Sequence, residues 1–502
     1  MQYEELLKDP KKLLEELVNL RKEVMEEGNE TFKRWEPNIE RDMFRDSALN
    51  LACYLALRRR DIRELQKALM AIGLSSLGRL ESRVIHNLDL VISNLSRIIG
   101  ENTEKTADSL YTKASMMGMK MLDDNSQQIL GDTTDGRYTR IMVTLPTEAG
   151  RNYQLIRDLM DEGMDIARIN CAHDDETVWS KMVDNIKKAE KELNGQCKIL
   201  FDIAGPKVRI NRILTTLKNP KVGIGDAFFL TGNDILKEYE NMDIICGCSN
   251  PEIIPGLKKG EPVYFDDGEI EGRVEKTTDD GVVVRVKKTL KTSVRLKAEK
   301  GLNFPDSAFK LNILTDKDKQ DLDFATKHGD IINFSFVKDV DDVKLCQEEL
   351  EKRAGKENAS SIAMMVKIET VQAVQNLSEI IMQGASKNPF SVMIARGDLA
   401  VELGYIRLSE IQEELMWICE AASVPVVWAT QVLEGLVKSA IPSRAEITDA
   451  AMSARAEGVM LNKGEFIRDG VQALDEILKR MQAHQYKKTA KLRPLSIANE
   501  KE

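Results

Sequence analysis

From Thr139 onward the chain alternates short, almost wholly apolar runs with longer stretches of helical periodicity, and few architectures satisfy that alternation. The runs fall at 140–144, 165–169, 198–202, 330–334, 363–368, 391–395, 424–428 and 458–461, eight in all. Most are apolar over their whole length, as parallel strands buried on both faces should be. Amphipathic segments such as 152–162, 176–193 and 317–327 separate them. Eight strand–helix units closing on themselves predict an α/β fold of the (β/α)8 TIM barrel type. The alternative is an open doubly wound sheet. No glycine-rich dinucleotide turn follows the first run, however, and GIGDAF at Gly223 carries Phe228 where the third glycine would stand.

Two stretches break the rhythm. Between 210 and 299 the texture changes to short β-like runs at 263–265, 270–274, 282–286 and 293–296, with DDG turns at 266–268 and 279–281. This predicts an inserted small β-barrel lid domain after the third strand, placed at the barrel mouth to close over a ligand. The first 124 residues instead read as an all-α N-terminal region. Asp9-Pro10 is an N-cap followed by proline, Leu13, Leu17, Leu20 and Val24 recur at helical spacing, and Gly28 reads as the stop. Further helices are expected at 41–57, 61–72 and 80–99, the last with Leu80, Val84, Leu88, Val91, Leu95 and Ile98 on one stripe. GLSSLGRLESRV, at 73–84, reads as a packing corner rather than a DNA-binding helix-turn-helix. The polar run DDNSQQILGDTTDGR, at 123–137, predicts a linker. The expected organisation is 1–124 helical, 125–138 linker, 139–209 barrel, 210–299 lid, 300–485 remaining barrel and 486–502 tail.

Composition narrows the class of partner. Of 502 residues, 42% are hydrophobic and 31% charged, which excludes a disordered chain. No uncharged apolar run approaches the roughly 20 residues of a membrane span. The N-terminus MQYEELLKDPKKLLEEL is charged throughout, unlike a secretory leader or transit sequence. Seven cysteines without C-x-x-C spacing point to a reducing, cytoplasmic setting rather than a disulfide framework. A net charge of −10 argues against nucleic acid as the partner.

In such a barrel, residues just past the C-terminal end of each strand face the site. Those positions hold Arg168 and Asn170, Asp202, Lys367 and Glu369, Asp398, and Thr430. Glu369 and Asp398 are hard oxygen ligands suited to Mg²⁺ or Mn²⁺ with open positions for substrate. Lys367 adds a fixed positive charge beside them, able to stabilise an enolate oxygen, and Arg168 can grip a phosphate. Cys171 and His173 are close in sequence, but spacing alone does not make a nucleophile–base pair. With only four histidines, a histidine-rich metal site is not expected.

At these residues the sequence resembles the pyruvate kinase family, from about 139 to 477. TRIMVTLP, GMDIARINCAH and FDIAGPKVRI are similar to its first three strand segments, and YFDDGEIEGRV and EKGLNFPD to its lid and the return to the barrel. MMVKIET, MIARGDLAVEL, VPVVWATQVLEGLV and PSRAEITDAAMSARAEGVML follow in the family's order. The resemblance implies phosphoryl transfer from phosphoenolpyruvate to ADP, giving pyruvate and ATP. Lys367 would then stabilise the enolate and the transferring group, Glu369 and Asp398 hold Mg²⁺, and Thr430 help deliver a proton to the enolate carbon. Arg168 would contact the transferring phosphate, Arg209 and Lys300 the nucleotide phosphates. Homo-oligomer formation and effectors are left open.

The departures are as informative. The family's potassium shell takes an Asn, a Ser, an Asp and a Thr. Asn170 and Asp202 remain, but Ala172 and Ile203 offer no side-chain oxygen. Lys207 stands where potassium-dependent members carry Glu, so its ammonium is expected to supply the missing charge and turnover to need no K⁺. Ala204 replaces a lysine usual in the family, and LNKGEF replaces a longer Ser-Gly-Glu-Thr segment. The sequence stops soon after the barrel, and no sugar-bisphosphate activation through the family's C-terminal domain is expected. Two other readings compete: a metal-dependent pyruvate or phosphoenolpyruvate lyase or aldolase on the same barrel, and a catalytically silent sensor.

Overall fold

The architecture follows from a computed structural model describing residues 9–100, 114–133, 136–233, 239, 242–266, 268–307 and 311–491. The chain enters the barrel through β1 (Arg140–Thr144), β2 (Ile166–Asn170) and β3 (Lys198–Ile203). It then leaves for an insert made of β4 (Ile210–Thr215), β5 (Lys221–Val222), β6 (Ala227–Thr231), β7 (Ile244–Cys248), β8 (Pro262–Phe265) and β9 (Ile270–Thr278). The insert ends with β10 (Gly281–Thr289), β11 (Val294–Arg295) and β12 (Leu302–Asn303). The chain returns through β13 (Ile331–Phe334), β14 (Ala363–Ile368), β15 (Phe390–Ala395), β16 (Val426–Ala429) and β17 (Gly458–Leu461). Strands β1–β3 and β13–β17 close into one parallel barrel in the order β1-β17-β16-β15-β14-β13-β3-β2. All eight lie within two residues of the apolar runs that predict them.

The period of two along a strand builds the barrel interior in layers. Met142, Ile166, Leu200, Ile331, Met365, Met393, Val427 and Met460 pack as one buried cluster near the N-terminal end. Two residues further on, the same face carries Thr144, Arg168, Asp202, Asn333 and Lys367. An apolar floor therefore underlies a polar layer, and the polar residues reach the C-terminal mouth because the strands are only four to six residues long.

The floor has a plug. The sequence predicts a linker over 125–138, but a helix runs Ala114–Leu130, and its last residues Ile129 and Leu130 join the interior cluster. The polar residues of the stretch lie on the other faces of that helix or bond to the barrel, as Asn125 Nδ2 does to the Ser423 carbonyl at 2.7 Å. Gly131 (φ 86°) ends it, and its carbonyl accepts from Arg140 Nε at 2.9 Å.

The remaining described N-terminal helices are α1 (Pro10–Trp35), α2 (Arg45–Arg58), α3 (Arg63–Ala71) and α4 (Val84–Ile98); the plug helix is α5. Asp9 caps α1 as expected, its carboxylate accepting from the Lys11 and Lys12 amides. Gly28 does not stop α1. It is a contact point: a Cβ there would lie 2.6 Å from Cys53 Sγ on α2, so the missing side chain lets two helices approach. On α4 the stripe is buried from Val84 to Leu95, but Ile98 is 60% exposed because the helix ends beyond its support. These helices dock on two barrel helices, Leu377–Lys387 and Tyr405–Ala421. Trp35 Nε1 donates to Glu379, Arg41 Nη1 to the Ala385 and Asn388 carbonyls, and Asn50 Nδ2 to the Ala421 carbonyl at 2.8 Å. One apolar cluster runs without a break from Leu13 to Leu478 across this junction.

The insert is a mixed seven-stranded sheet in the order β12-β8-β9-β10-β6-β7-β4, half of a barrel rather than a closed one. Strands β6 and β7 run parallel and the other neighbours antiparallel. Its core stacks Phe228 edge-on against Phe265, with centroids 4.9 Å apart. Strands β4–β7 and β12 are absent from the sequence reading: INRILT of β4 is half exposed, and IICGC of β7 carries Gly and Cys in place of strong strand formers. Among the described residues, no helix is long and apolar enough to cross a membrane.

Candidate active site

At the C-terminal mouth the polar layer forms a connected network. Arg168 is buried and held on two sides: Nε donates to Asp202 Oδ2 at 2.9 Å with Nη2 on the same oxygen, and Nη1 donates to Thr144 Oγ1 at 2.7 Å. Asp202 also accepts from Asn333 Nδ2 at 2.8 Å. Burial alone would raise the Asp202 carboxyl, but the charges of Arg168 and Lys367 outweigh it and hold it below the usual range. Asp202 is thus committed to a guanidinium, while Asn170 Oδ1 accepts from the Ala172 amide at 3.0 Å. Ile203 is fully buried.

Lys367 stands at the centre. Its ammonium is 2.7 Å from Glu369 Oε1 and donates to Ser335 Oγ at 3.2 Å. Burial acts to neutralise it, yet Glu369 and Asp202 outweigh burial and raise its pKa, so this partly buried lysine keeps its charge. Glu369 Oε2 accepts from the Phe336 amide at 2.8 Å, and Phe336 sits in the left-handed region (φ 59°) to aim that amide. Burial pushes the Glu369 carboxyl up, opposed by Lys367 and reinforced by Asp398.

Asp398, in the first turn of helix Arg396–Leu403, meets groups from outside the barrel. Lys207 Nζ lies 3.2 and 3.3 Å from its two oxygens, and Asn303 Nδ2 donates to Oδ1 at 3.3 Å. Burial would raise the Asp398 carboxyl, but Lys207 and Lys367 together hold it below its usual range. One turn on, burial and the Asp398 charge push Glu402 up to about 7. A cavity of about 640 Å³ opens beside these groups, between Lys207, Asn303 and Phe304 of the insert's two limbs and Phe336, Glu369 and Glu402 of the barrel.

Thr430 follows β16 in a run of left-handed residues: Thr430 (φ 69°), Gln431 (φ 57°) and Leu433 (φ 48°). Such conformations cost of order 1–3 kcal/mol each and persist only where surroundings enforce them. Here the Gly397 amide donates to Thr430 Oγ1 at 2.8 Å and Arg396 Nη2 to its carbonyl at 2.6 Å. Arg396 is itself paired with Asp449 and stacked over Trp428.

Arg209 and Lys300 lie apart from this cluster, on the insert's stem. Arg209 Nη1 donates to the Glu299 carbonyl at 2.8 Å, and Lys300 pairs with Asp266. Arg209 also forms a bridge with Gly301, the residue after Lys300, so both cations sit where the two limbs of the stem meet. Partial burial first, and then the cations Lys463, Arg209 and Arg168 against the charge of Asp174, lower the pKa of His173.

The strand-end rule brings Arg168, Asp202, Lys367, Glu369 and Asp398 together, and the same rule would have found Thr144, Ser335 and Phe336 had it been applied to β1 and β13. Asn303 and Glu402 carry no such signal, since the first comes from the insert's return limb and the second sits a helical turn away from a strand end.

Comparison with known proteins agrees with this geometry. A family model described as the pyruvate kinase barrel domain matches residues 136–480. The pyruvate kinase of Thermotoga maritima is 32% identical over 317 residues, 63% of this chain and 63% of that protein. That of Clostridium perfringens is 30% identical over 66% of this chain and 68% of its own length. The chain thus spans a little under two thirds of the Thermotoga relative. Among solved structures, a pyruvate kinase from Cryptosporidium parvum superposes with a TM-score of 0.62 at 29% identity, over 71% of this chain and 72% of the other. A match over most of the chain, through a closed barrel and its inserted sheet, means that the chain belongs to the pyruvate kinase family.

Proposed function

We propose that the protein transfers the phosphoryl group of phosphoenolpyruvate to ADP, giving pyruvate and ATP, with a divalent ion at Glu369 and Asp398 and without K⁺. The observation that carries this reading is the gathering of Lys367, Glu369 and Asp398 at the barrel mouth beneath the insert's stem. The donor set fits Mg²⁺ or Mn²⁺: both ligands are carboxylates, and among the described residues Glu369 Oε1 is engaged by the Lys367 ammonium and otherwise has no hydrogen-bond partner. Among the described residues no three His, Cys, Asp or Glu side chains gather, so a pair of carboxylates would leave most of an octahedral shell to water and substrate, as Mg²⁺ prefers. A bound dication would supply charge neutralisation at phosphoryl and enolate oxygens.

The chain's own groups supply the rest. Lys367 places a preorganised positive charge where the enolate oxygen develops, and a donor of this kind is worth roughly 10²–10³ in rate. Arg168, held flat by Asp202 and Thr144, presents its guanidinium to the transferring phosphoryl group. Thr430 lies in the loop that Gly397 and Arg396 fix, a suitable end for a proton path to the enolate carbon. Arg209 and Lys300, on the insert's stem, would meet the nucleotide phosphates as the insert closes, excluding water.

The same side chains support turnover without K⁺. Ala172 and Ile203 give no oxygen, and Asp202 is engaged by Arg168. Lys207 already places an ammonium at the site's edge. The test is a lactate-dehydrogenase-coupled assay in tetramethylammonium buffer with phosphoenolpyruvate, ADP and Mg²⁺. Turnover that added K⁺ leaves unchanged, and that Lys367→Met abolishes, supports the reading. A strong increase on adding K⁺ refutes its potassium part. Pyruvate-dependent carbon–carbon cleavage, or ligand binding without turnover, refutes the reaction itself.

A further inference from the structure

Each proposed metal carboxylate faces its own ammonium. Lys367 Nζ is 2.7 Å from Glu369 Oε1, and Lys207 Nζ is 3.2 and 3.3 Å from Asp398 Oδ1 and Oδ2. The two lysines differ in where they are anchored. Lys367 is in β14, part of the rigid barrel, whereas Lys207 lies between the end of β3 at Ile203 and the start of β4 at Ile210, on the limb leading out to the insert. The returning limb grips the same group. Gly301 is so close that a Cβ on it would lie 2.9 Å from Lys207 Cε, and Asn303 donates to Asp398 Oδ1 at 3.3 Å. Both limbs of the insert's stem therefore converge on one carboxylate of the barrel.

Charge counting shows the consequence. The two carboxylates and two ammoniums sum to zero, and Glu402 beside them, pushed up to about 7, adds at most one negative charge. A dication added to that set leaves a surplus of positive charge, which favours recruitment of an anion or withdrawal of a cation. Lys207 spans both oxygens of Asp398, so an ion bound there competes with it directly, while Lys367 touches Glu369 through one oxygen and leaves Oε2 to the Phe336 amide.

We infer that Lys207 is an internal competitor for the divalent ion: its ammonium holds Asp398 until a dication displaces it, and its place on the insert's stem links metal binding to the insert's position. The inference rests on Glu369 and Asp398 being metal ligands, and it gives Lys207 two stations. It pairs with Asp398 before the ion binds and turns to the anionic substrate afterwards, which is where a charge replacing K⁺ is needed. By linkage, an anion that draws Lys207 away strengthens metal binding, and the metal strengthens binding of the anion by the same factor.

The test measures Mn²⁺ affinity from the paramagnetic resonance of free Mn²⁺, without substrate, for the whole chain and for Lys207→Gln, Lys207→Met, Lys207→Arg and Asp398→Asn. Thermal melts confirm that each variant folds, and Lys207→Met stands in if Lys207→Gln does not. Removing the ammonium is expected to tighten Mn²⁺ on the order of 10-fold, within the usual span of coupling between sites, and Lys207→Arg to stay near the parent. Hydrogen exchange at the amides of 207–210 should rise on adding Mn²⁺ to the parent and stay constant in Lys207→Gln. Unchanged or weaker Mn²⁺ binding in both neutral variants overturns the competition while the metal site stands. Unchanged Mn²⁺ binding in Asp398→Asn overturns the metal site itself.

Discussion

Lys367 owes its role to counting by two along β14: Met365 fills the barrel floor, Lys367 reaches the polar layer and Glu369 emerges at the mouth. Its charge is secured by two carboxylates that outweigh burial, so Lys367→Met should leave an unpaired buried Glu369 and lower turnover by at least roughly 10²–10³, read in the coupled assay. A second titrating group tests the far end of the barrel. Glu420 is pushed up to about 7, by burial first and by Glu81 and Glu457 next, against the pull of Lys487. A carboxyl whose pKa is higher folded than unfolded binds more protons in the native state, so its contribution is full below the unfolded value and fades as pH rises towards 7. Glu420→Gln should therefore raise Tm at pH 8, by roughly 1–3 °C, and change little at pH 4. An equal shift at both pH values would contradict this. Most of the site is legible at this scale because strand ends point at it; the pairing of Arg168 with Asp202 is not, since either residue read alone looks available to a ligand.

Among the elements, the barrel strands are readable because burial on both faces leaves uninterrupted apolar runs, whereas in the insert a half-exposed strand such as β4 or a Gly- and Cys-containing one such as β7 gives no such run. The α5 plug is misread for a different reason. From Asp123 onward its sequence is polar and turn-rich apart from Ile129 and Leu130, and only tertiary contact shows that these two close the barrel floor. Leu130→Ala should cost about 2–5 kcal/mol in urea unfolding, the usual loss for a buried leucine; a loss no larger than that of an exposed position such as Met70 would contradict the plug. Gly28 is misread as a stop for the same tertiary reason, since what it serves is the approach of α2. Gly28→Val should destabilise the α1–α2 packing at Cys53, seen as a lower Tm.

Over the whole molecule, a chain of net charge −10 places Arg168, Lys207 and Lys367 at one mouth and Arg209 on the insert's stem, a local concentration of positive charge of the kind that attracts anions. The helical N-terminal region braces the barrel on the side of helices Leu377–Lys387 and Tyr405–Ala421, and the C-terminal end ties to both through the Lys487–Glu457 and Lys488–Glu81 pairs. Phosphorus-31 spectra of the purified protein with phosphoenolpyruvate and MgADP, in K⁺-free tetramethylammonium buffer, read the central claim without a coupling enzyme. The phosphoenolpyruvate resonance should decline as the β-phosphate resonance of ATP grows in equal measure, with no inorganic phosphate. A phosphoenolpyruvate signal that persists, or that is replaced by inorganic phosphate, would contradict it.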